Sequence, residues 1–120
     1  MGKLNECEGI LNLIQQIIDY NILVIVEGKK DKKALEGLGV KRIVELEAHH
    51  SLVEKIDEKE VVLLVDLDKE GKKIYGRLKD VLSRRGVKVN DKLRHYLFRD
   101  TQLRQVEGLA TYLNSLSKTF

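Results

Sequence analysis

Two five-residue apolar runs divide the chain: ILVIV at Ile22–Val26 and VVLLV at Val61–Val65. Each contains only β-branched residues and leucine, and each ends on an acid, Glu27 or Asp66. Short continuous apolar runs bounded by polar residues predict strands covered on both faces. Elsewhere the apolar positions recur at helical spacing. Leu4, Cys7, Leu11, Ile14, Ile17 and Ile18 predict a helix from about Glu6 to Asp19, with Asn5 as N-cap and Cys7 on the buried stripe. Ala34, Leu35 and Leu38 predict a short helix stopped by Gly39, and VKRIVEL (Val40–Leu46) a second strand. Ser51 with Glu54 forms a capping-box pattern that opens a short helix bearing Leu52, Val53 and Ile56.

After the second apolar run, Glu70–Arg84 reads as an amphipathic helix with Ile74, Leu78, Val81 and Leu82 inward and Gly86 as its stop. Val87–Val89 is a short fourth strand. LRHYLF (Leu93–Phe98) suits a helix turn or an edge strand. Leu103, Val106, Leu109, Ala110, Leu113 and Leu116 suit a final helix, in which Gly108 is a point for a break. Strands alternating with helices predict an α/β fold: a Rossmann-like parallel sheet of about four strands with helices on both faces. The 120 residues fit one domain, with an additional N-terminal helix over about 5–20 and a C-terminal helical segment over about 91–117.

Charge adds detail to this frame. Lys and Arg number 22 against 19 Asp and Glu, a net charge of +3, too small to argue for nucleic acid alone. Lys69–Arg85, however, holds seven basic and two acidic residues, so this segment is +5 and the remainder −2. With Cys7 as the single cysteine, no internal disulfide or cysteine-based zinc site is available, which fits a reducing, cytoplasmic setting. No apolar run approaches a membrane span, and the N-terminus lacks the apolar core of a signal peptide, so no membrane partner is expected.

The chemistry is concentrated at the strand ends. Functional groups in parallel α/β sheets gather beyond the carboxyl ends of the strands. Glu27, Asp66 and Asp68 therefore share one edge, and the first and third strands can be neighbours at a topological switch point. Adjacent carboxylates at the mouth of an apolar sheet repel one another. A divalent cation relieves that repulsion, and hard oxygen ligands favour Mg2+, with Mn2+ as a substitute. The structural alternative is that Asp66 and Asp68 cap the helix that follows.

Together these residues resemble the Toprim domain, shared by type IA and type II topoisomerases, primases, recombination mediators and several nucleases. VIVEGKKDKKAL carries the strand ending in Glu-Gly, with Glu27, Gly28 and Asp31 at the matching positions. LVDLDKEG carries the Asp-x-Asp pair, Asp66 and Asp68, and Glu70 and Gly71 match the longer form of the type IA topoisomerases. The resemblance covers roughly Ile22–Val89. It is greatest to small stand-alone Toprim proteins, grouped with primase-type domains and with the ribonuclease that matures 5S ribosomal RNA. The tyrosine-bearing cleavage domain of a topoisomerase and the zinc and helicase-binding regions of a primase have no counterpart in the sequence.

The resemblance implies that Asp66 and Asp68, with Glu70 as a third acid, hold magnesium near a phosphodiester, and that Glu27 acts as general acid or base. It also implies that Gly28 and Gly71 give the phosphate close access to the backbone. Lys29, and Lys73 and Arg77 on one stripe of the basic helix with Arg84, are candidate phosphate contacts. Each has a plainer reading: a solvated helix start for Lys29 and Lys30, a helix-dipole partner for Asp31 and Glu70, and a solvated face for the stripe. His49 and His50 follow the second strand without further zinc partners. Arg94 and Arg99 are further candidates for phosphate contact, and Glu107 for the acidic site.

The expected function is thus magnesium-dependent processing of nucleic-acid phosphodiesters, RNA favoured over DNA, by a nuclease-like hydrolase or transferase. The alternative is a non-catalytic module that binds nucleic acid or a ribonucleoprotein, with a protein partner. A phosphatase of the haloacid dehalogenase type also uses Asp-x-Asp after a strand. That class wants Thr or Val where this chain has Glu70, and it lacks the Glu-Gly motif.

Overall fold

The computed structural model describes residues 2–49, 55–66, 68–101, 103–109, 111 and 112, with only the backbone described for residues 2–7, 48, 49, 98 and 100. The helix expected from Ser51 and Glu54, His50, the last turns of the C-terminal helix, and the side chains of Cys7 and His49 lie outside the described residues. Four strands, β1 (Leu23–Val26), β2 (Ile43–Glu45), β3 (Glu60–Leu63) and β4 (Lys88–Asn90), form one sheet in the order β2-β1-β3-β4. All three pairings are parallel. The helices are α1 (Gly2–Asp19), α2 (Lys29–Glu36), α3 (Leu46–His49), α4 (Lys69–Arg84) and α5 (Lys92–Asp100), and Val106–Gly108 forms a 3-10 turn.

Alternation along the strands divides the core into two layers. Val24, Val26, Val62 and Leu64 pack with Ile10, Ile14 and Ile17 of α1, Leu35 of α2, and Leu93 and Leu97 of α5. Ile25, Val61, Leu63 and Val65 pack with Ile56, Val87 and the α4 residues Ile74, Leu78 and Leu82. Helices therefore cover both faces, and every residue of Val61–Val65 is buried. This is the α/β architecture that the apolar runs predict.

Helices α1, α2 and α4 end in the same way. A residue with positive φ follows each: Asn21 (50°), Gly39 (100°) and Gly86 (82°). The next amide reaches back five residues: Ile22 to the Ile17 carbonyl, Val40 to Leu35, and Val87 to Leu82. This Schellman closure satisfies the last helical carbonyls and turns the chain toward the sheet. Gly39 and Gly86 are thus the stops expected from sequence.

Three details differ from expectation. The helix α1 begins at Gly2, so Asn5 lies inside it and is not its N-cap; the apolar spacing already reaches Leu4. The strand β2 is only three residues long, because Val40 belongs to the turn that closes α2 and Leu46 opens α3. The final helix is replaced from Leu103 to Gln105 by non-helical chain, then by the 3-10 turn ending at Gly108. For LRHYLF the helix, α5, is the outcome.

Candidate functional site

The sheet order makes β1 and β3 neighbours while their following connections leave in opposite directions, to β2 and to β4. Their carboxyl ends therefore open a crevice at a switch point. Glu27 leaves β1 there, and Asp66 ends the apolar run that continues β3.

The way the ladder ends places both acids. In a parallel pair, each strand's bonds alternate between its two neighbours. The Leu64 N–H donates to the Ile25 carbonyl (2.9 Å). Two residues on, the same pattern would pair the Asp66 N–H with the Glu27 carbonyl. That carbonyl instead accepts from the Glu47 N–H (2.9 Å), and the Glu27 carboxylate takes its place: the Asp66 N–H donates to Glu27 Oε1 (2.8 Å). Glu27 thus ties the start of α3 to the chain that continues β3, across the end of β1. The Asp66 side chain is fixed in turn, its Oδ1 accepting from the Val106 N–H (3.0 Å).

Asp68 is the N-cap of α4, its Oδ1 accepting from the Gly71 N–H (2.8 Å). The capping role considered for this residue is therefore real, and it leaves the second oxygen outside the described hydrogen bonds. Asp31, buried in the first turn of α2, accepts from the Gly28 N–H through Oδ2 (3.0 Å). Gly71 is buried where only a glycine fits: a Cβ would lie 1.9 Å from the Asp66 carbonyl oxygen. At Gly28 a Cβ would lie 2.8 Å from Glu47 Oε2, so the Glu47 carboxylate sits directly against the turn.

Electrostatics mark the same cluster. Burial, then the charges of Asp66, Asp31 and Asp68, push the Glu27 carboxyl above its ordinary value, against the hydrogen bond from Asp66. Burial raises Asp31, with added repulsion from Asp66, Glu107 and Glu47. Asp66 is raised by burial and by Asp68 and Glu107. The structure therefore brings together Glu27, Asp66, Asp68 and Asp31, with Glu107 and Glu47 at the margin. Glu70 is exposed in the first turn of α4, and the repulsion on Asp66 comes from Asp68 and Glu107. Lys29, Lys73 and Arg77 are exposed, and Gly28 is buried. On the basic stripe, Arg84 Nη2 pairs with Asp80 (3.2 Å), leaving Lys73 and Arg77 as its outward cations without a described ion pair.

Among the described residues, no three His, Cys, Asp or Glu side chains converge as a complete metal cage. Carboxylates that each spend one oxygen on a backbone N–H, Glu27 and Asp66 half-buried and Asp68 exposed, suit a cation that keeps much of its water and takes only one or two protein ligands, the habit of magnesium.

Sequence reasoning missed Glu47 and misjudged Arg94. The signal for Glu47 was its position just beyond the second strand, on the edge where acids gather. Arg94 is buried at 6% exposure and turned inward, not toward a phosphate. Its Nε donates to the Val65 carbonyl and its Nη2 to the Asp66 carbonyl, both at 3.3 Å, and the guanidinium lies 4.1 Å from the Tyr75 ring centre.

The Toprim domain profile matches residues 21–91. A UPF0292 protein of Methanocaldococcus jannaschii is 35% identical, over 76% of this chain and 77% of its own. One of Methanosarcina barkeri is 32% identical, over 95% and 85%. A solved structure of a protein from Aquifex aeolicus superposes with a TM-score of 0.70 at 29% identity, over 78% of this chain and 92% of that one. The names of these relatives state no substrate or reaction, and no similarity to a primase or to the 5S ribosomal RNA ribonuclease is among them. The chain belongs to the Toprim domain family, and within it to the UPF0292 proteins.

Proposed function

We propose that this protein processes nucleic-acid phosphodiesters with the help of magnesium, as a nuclease-like hydrolase or transferase acting on RNA in preference to DNA. The observation that carries the reading is the meeting of Glu27 with Asp66 and Asp68 at the switch point, where burial and mutual repulsion raise the Glu27 and Asp66 carboxyls. A cation held there would relieve that repulsion and could in turn attract a phosphate. The preference for RNA rests on the resemblance to RNA-maturing Toprim domains. The cytoplasm is the setting proposed, with a protein partner as a further component.

Asp66 and Asp68 would hold magnesium, or manganese in its place, through the oxygens not committed to Val106 and Gly71, with Glu70 beside them on the first turn of α4. When bound, the metal offsets phosphate charge and stabilises the attacking or leaving oxygen. The chain's own residues do the rest. Glu27 keeps Oε1 on the Asp66 amide and presents its other oxygen for proton transfer, and its raised proton affinity brings it nearer a working pH. Lys29, Lys73 and Arg77 would supply exposed positive charge to the phosphate, while Gly28 and Gly71 serve the packing of the turn against Glu47 and of α4 against Asp66.

One observation favours a second reading, a binding module that recognises RNA or a ribonucleoprotein without cleaving it. Glu27, Asp66 and Asp68 all cap backbone amides, so each has a structural use of its own. Incubation of the pure protein with RNA, DNA and a small phosphomonoester, with and without magnesium, separates the readings. Metal-dependent cleavage of RNA supports the enzyme. Salt-sensitive binding without cleavage supports the module. Turnover of the monoester alone would point to a phosphatase.

A further inference from the structure

The strand β4 stops at Asn90, opposite Val62, whereas the buried run that continues β3 goes on to Val65. Past that point no strand among the described residues lies beside β3 on the β4 side. Leu64 bonds toward β1, so alternation turns the Val65 carbonyl toward the missing strand. A buried carbonyl there needs a donor. Arg94, from the first turn of α5, supplies it: Nε reaches Val65 O and Nη2 reaches Asp66 O. The guanidinium stands where a longer β4 would have been.

This fork is itself held. The Tyr75 ring of α4 lies against it, 4.1 Å from ring centre to guanidinium carbon. The Tyr75 hydroxyl donates to Asp91, which also accepts from Lys79 Nζ (3.1 Å) and pairs with His95 Nε2 (3.2 Å). Four side chains from α4 and from the start of α5 thus fix one planar donor. Asp66 is consequently gripped at three points: its N–H by Glu27, its carbonyl by Arg94, and its carboxylate by the Val106 amide.

We infer that Arg94 is a positioning residue that aims the Asp66 carboxylate, through the Val65 and Asp66 carbonyls, with Tyr75 and Asp91 setting its plane. The inference extends the proposed metal role of Asp66. A purely electrostatic role would act in the opposite direction, since removing a buried positive charge beside a cation site favours the cation. A positioning role predicts loss, because supporting residues of this kind are typically worth about 10–100-fold in metal affinity. Lysine keeps the charge but has neither the planar fork nor the stacking surface.

The test uses Arg94→Met, Arg94→Lys and Tyr75→Leu, read by two measurements on the full chain. Amide hydrogen exchange is followed at Asp66 and Val106, with Ile14 of α1 and Leu82 of α4 as remote reporters. Both site amides are expected to exchange roughly tenfold faster or more in the two Arg94 variants, and by a smaller factor in Tyr75→Leu, while the reporters stay near wild type. Titration with magnesium chloride is expected to show about tenfold weaker binding in both Arg94 variants. Unchanged exchange at Asp66 and Val106 overturns the inference, as does a common acceleration of all four amides or wild-type behaviour in Arg94→Lys. Tighter magnesium binding in Arg94→Met overturns it in favour of simple charge. Should wild type give no magnesium signal, the metal reading fails, and the exchange rates still decide whether Arg94 positions Asp66. Tyr75→Leu leaves both carbonyls their donor, so it reports even where an Arg94 variant does not fold.

Discussion

Two glycines on α4 should respond oppositely to the same substitution. A Cβ at Gly71 would stand 1.9 Å from the Asp66 carbonyl oxygen and 2.5 Å from its carbonyl carbon. The neighbour is backbone, held by Arg94 and followed by the Asp68 cap, so relief requires the start of α4 to move by about 1 Å or more in a close-packed region. Overpacking of this kind costs about 1–3 kcal/mol, and weakening the Asp68–Gly71 cap adds about 1 kcal/mol. Gly76, five residues on, is exposed, and a Cβ there meets nothing within 4 Å. Gly76→Ala should therefore gain about 1 kcal/mol of helix propensity. At roughly 4 °C per kcal/mol for a domain of this size, the melting temperatures of the two variants should differ by about 10 °C or more, with wild type between them. Circular dichroism melts in metal-free buffer measure this directly. If Gly71→Ala melts at or above wild type, α4 does not start against the Asp66 carbonyl, and the geometry argued for Asp66 and Asp68 falls with it.

Neutral isosteres report the repulsion in the acidic cluster. The Asp66 and Asp31 carboxyls are raised, so the stability linked to them is fully present below the ordinary Asp value of 3.8 and declines as pH rises through the folded values. Asp66→Asn and Asp31→Asn should therefore gain in melting temperature relative to wild type as pH rises from about 3.8 through the raised folded values in metal-free buffer, and a gap that narrows as pH rises would contradict the assignment. Calorimetry with magnesium in the millimolar range should give a heat in wild type that Asp66→Asn/Asp68→Asn lacks; equal heats would remove the site. Replacing Lys73 and Arg77 with Ala should flatten the dependence of RNA affinity on salt by about one to two log units per log unit, and an unchanged slope would return that face to plain solvation. Glu27→Gln should keep the Asp66 amide bond and the fold while losing roughly 10²–10⁴-fold in any turnover found, whereas a lower melting temperature with normal turnover would assign Glu27 to structure alone.

The sheet was legible because its two central strands carry unbroken apolar runs, which bury on both sides wherever helices flank them. Their acids were legible for the same reason, since a charge that ends such a run can only stand at the sheet mouth. Gly39 and Gly86 announced the closures of α2 and α4, while Asn21 performs the same closure for α1 with less distinctive chemistry. What the sequence hid depends on register. That β4 stops short of Val65 cannot be seen until Val62 is paired with Asn90, and only then does a buried arginine in LRHYLF have a purpose. Glu47 was hidden similarly: its place against Gly28 follows from β2 ending at Glu45, two residues earlier. The C-terminal region misled because Val106 and Leu109 are buried at helical spacing, yet the chain between Leu103 and Gln105 is not helical, and the Val106 amide is turned to Asp66.

The residues that finish the sheet are also those proposed for chemistry, and this has a thermodynamic consequence. Backbone groups beyond the last ladder bond still need partners, and here charged side chains provide them: Glu27 for the Asp66 amide, Arg94 for two carbonyls, and Asp66 for the Val106 amide. A neutral side chain could do much of the same work, so the capping alone does not explain why carboxylates stand there under mutual repulsion. The proposed cation would explain it. Each carboxylate caps with one oxygen and can coordinate with the other, so binding would require no exchange of the bonds that hold β1, β3 and α4 in place. The unfolded chain has no such assembled site. A divalent cation should therefore act on the folded state alone, stabilising it by mass action as its concentration exceeds the dissociation constant. In the proposed function, relief of repulsion and support of catalysis would draw on the same coordination, without the protein giving up a structural contact to obtain either.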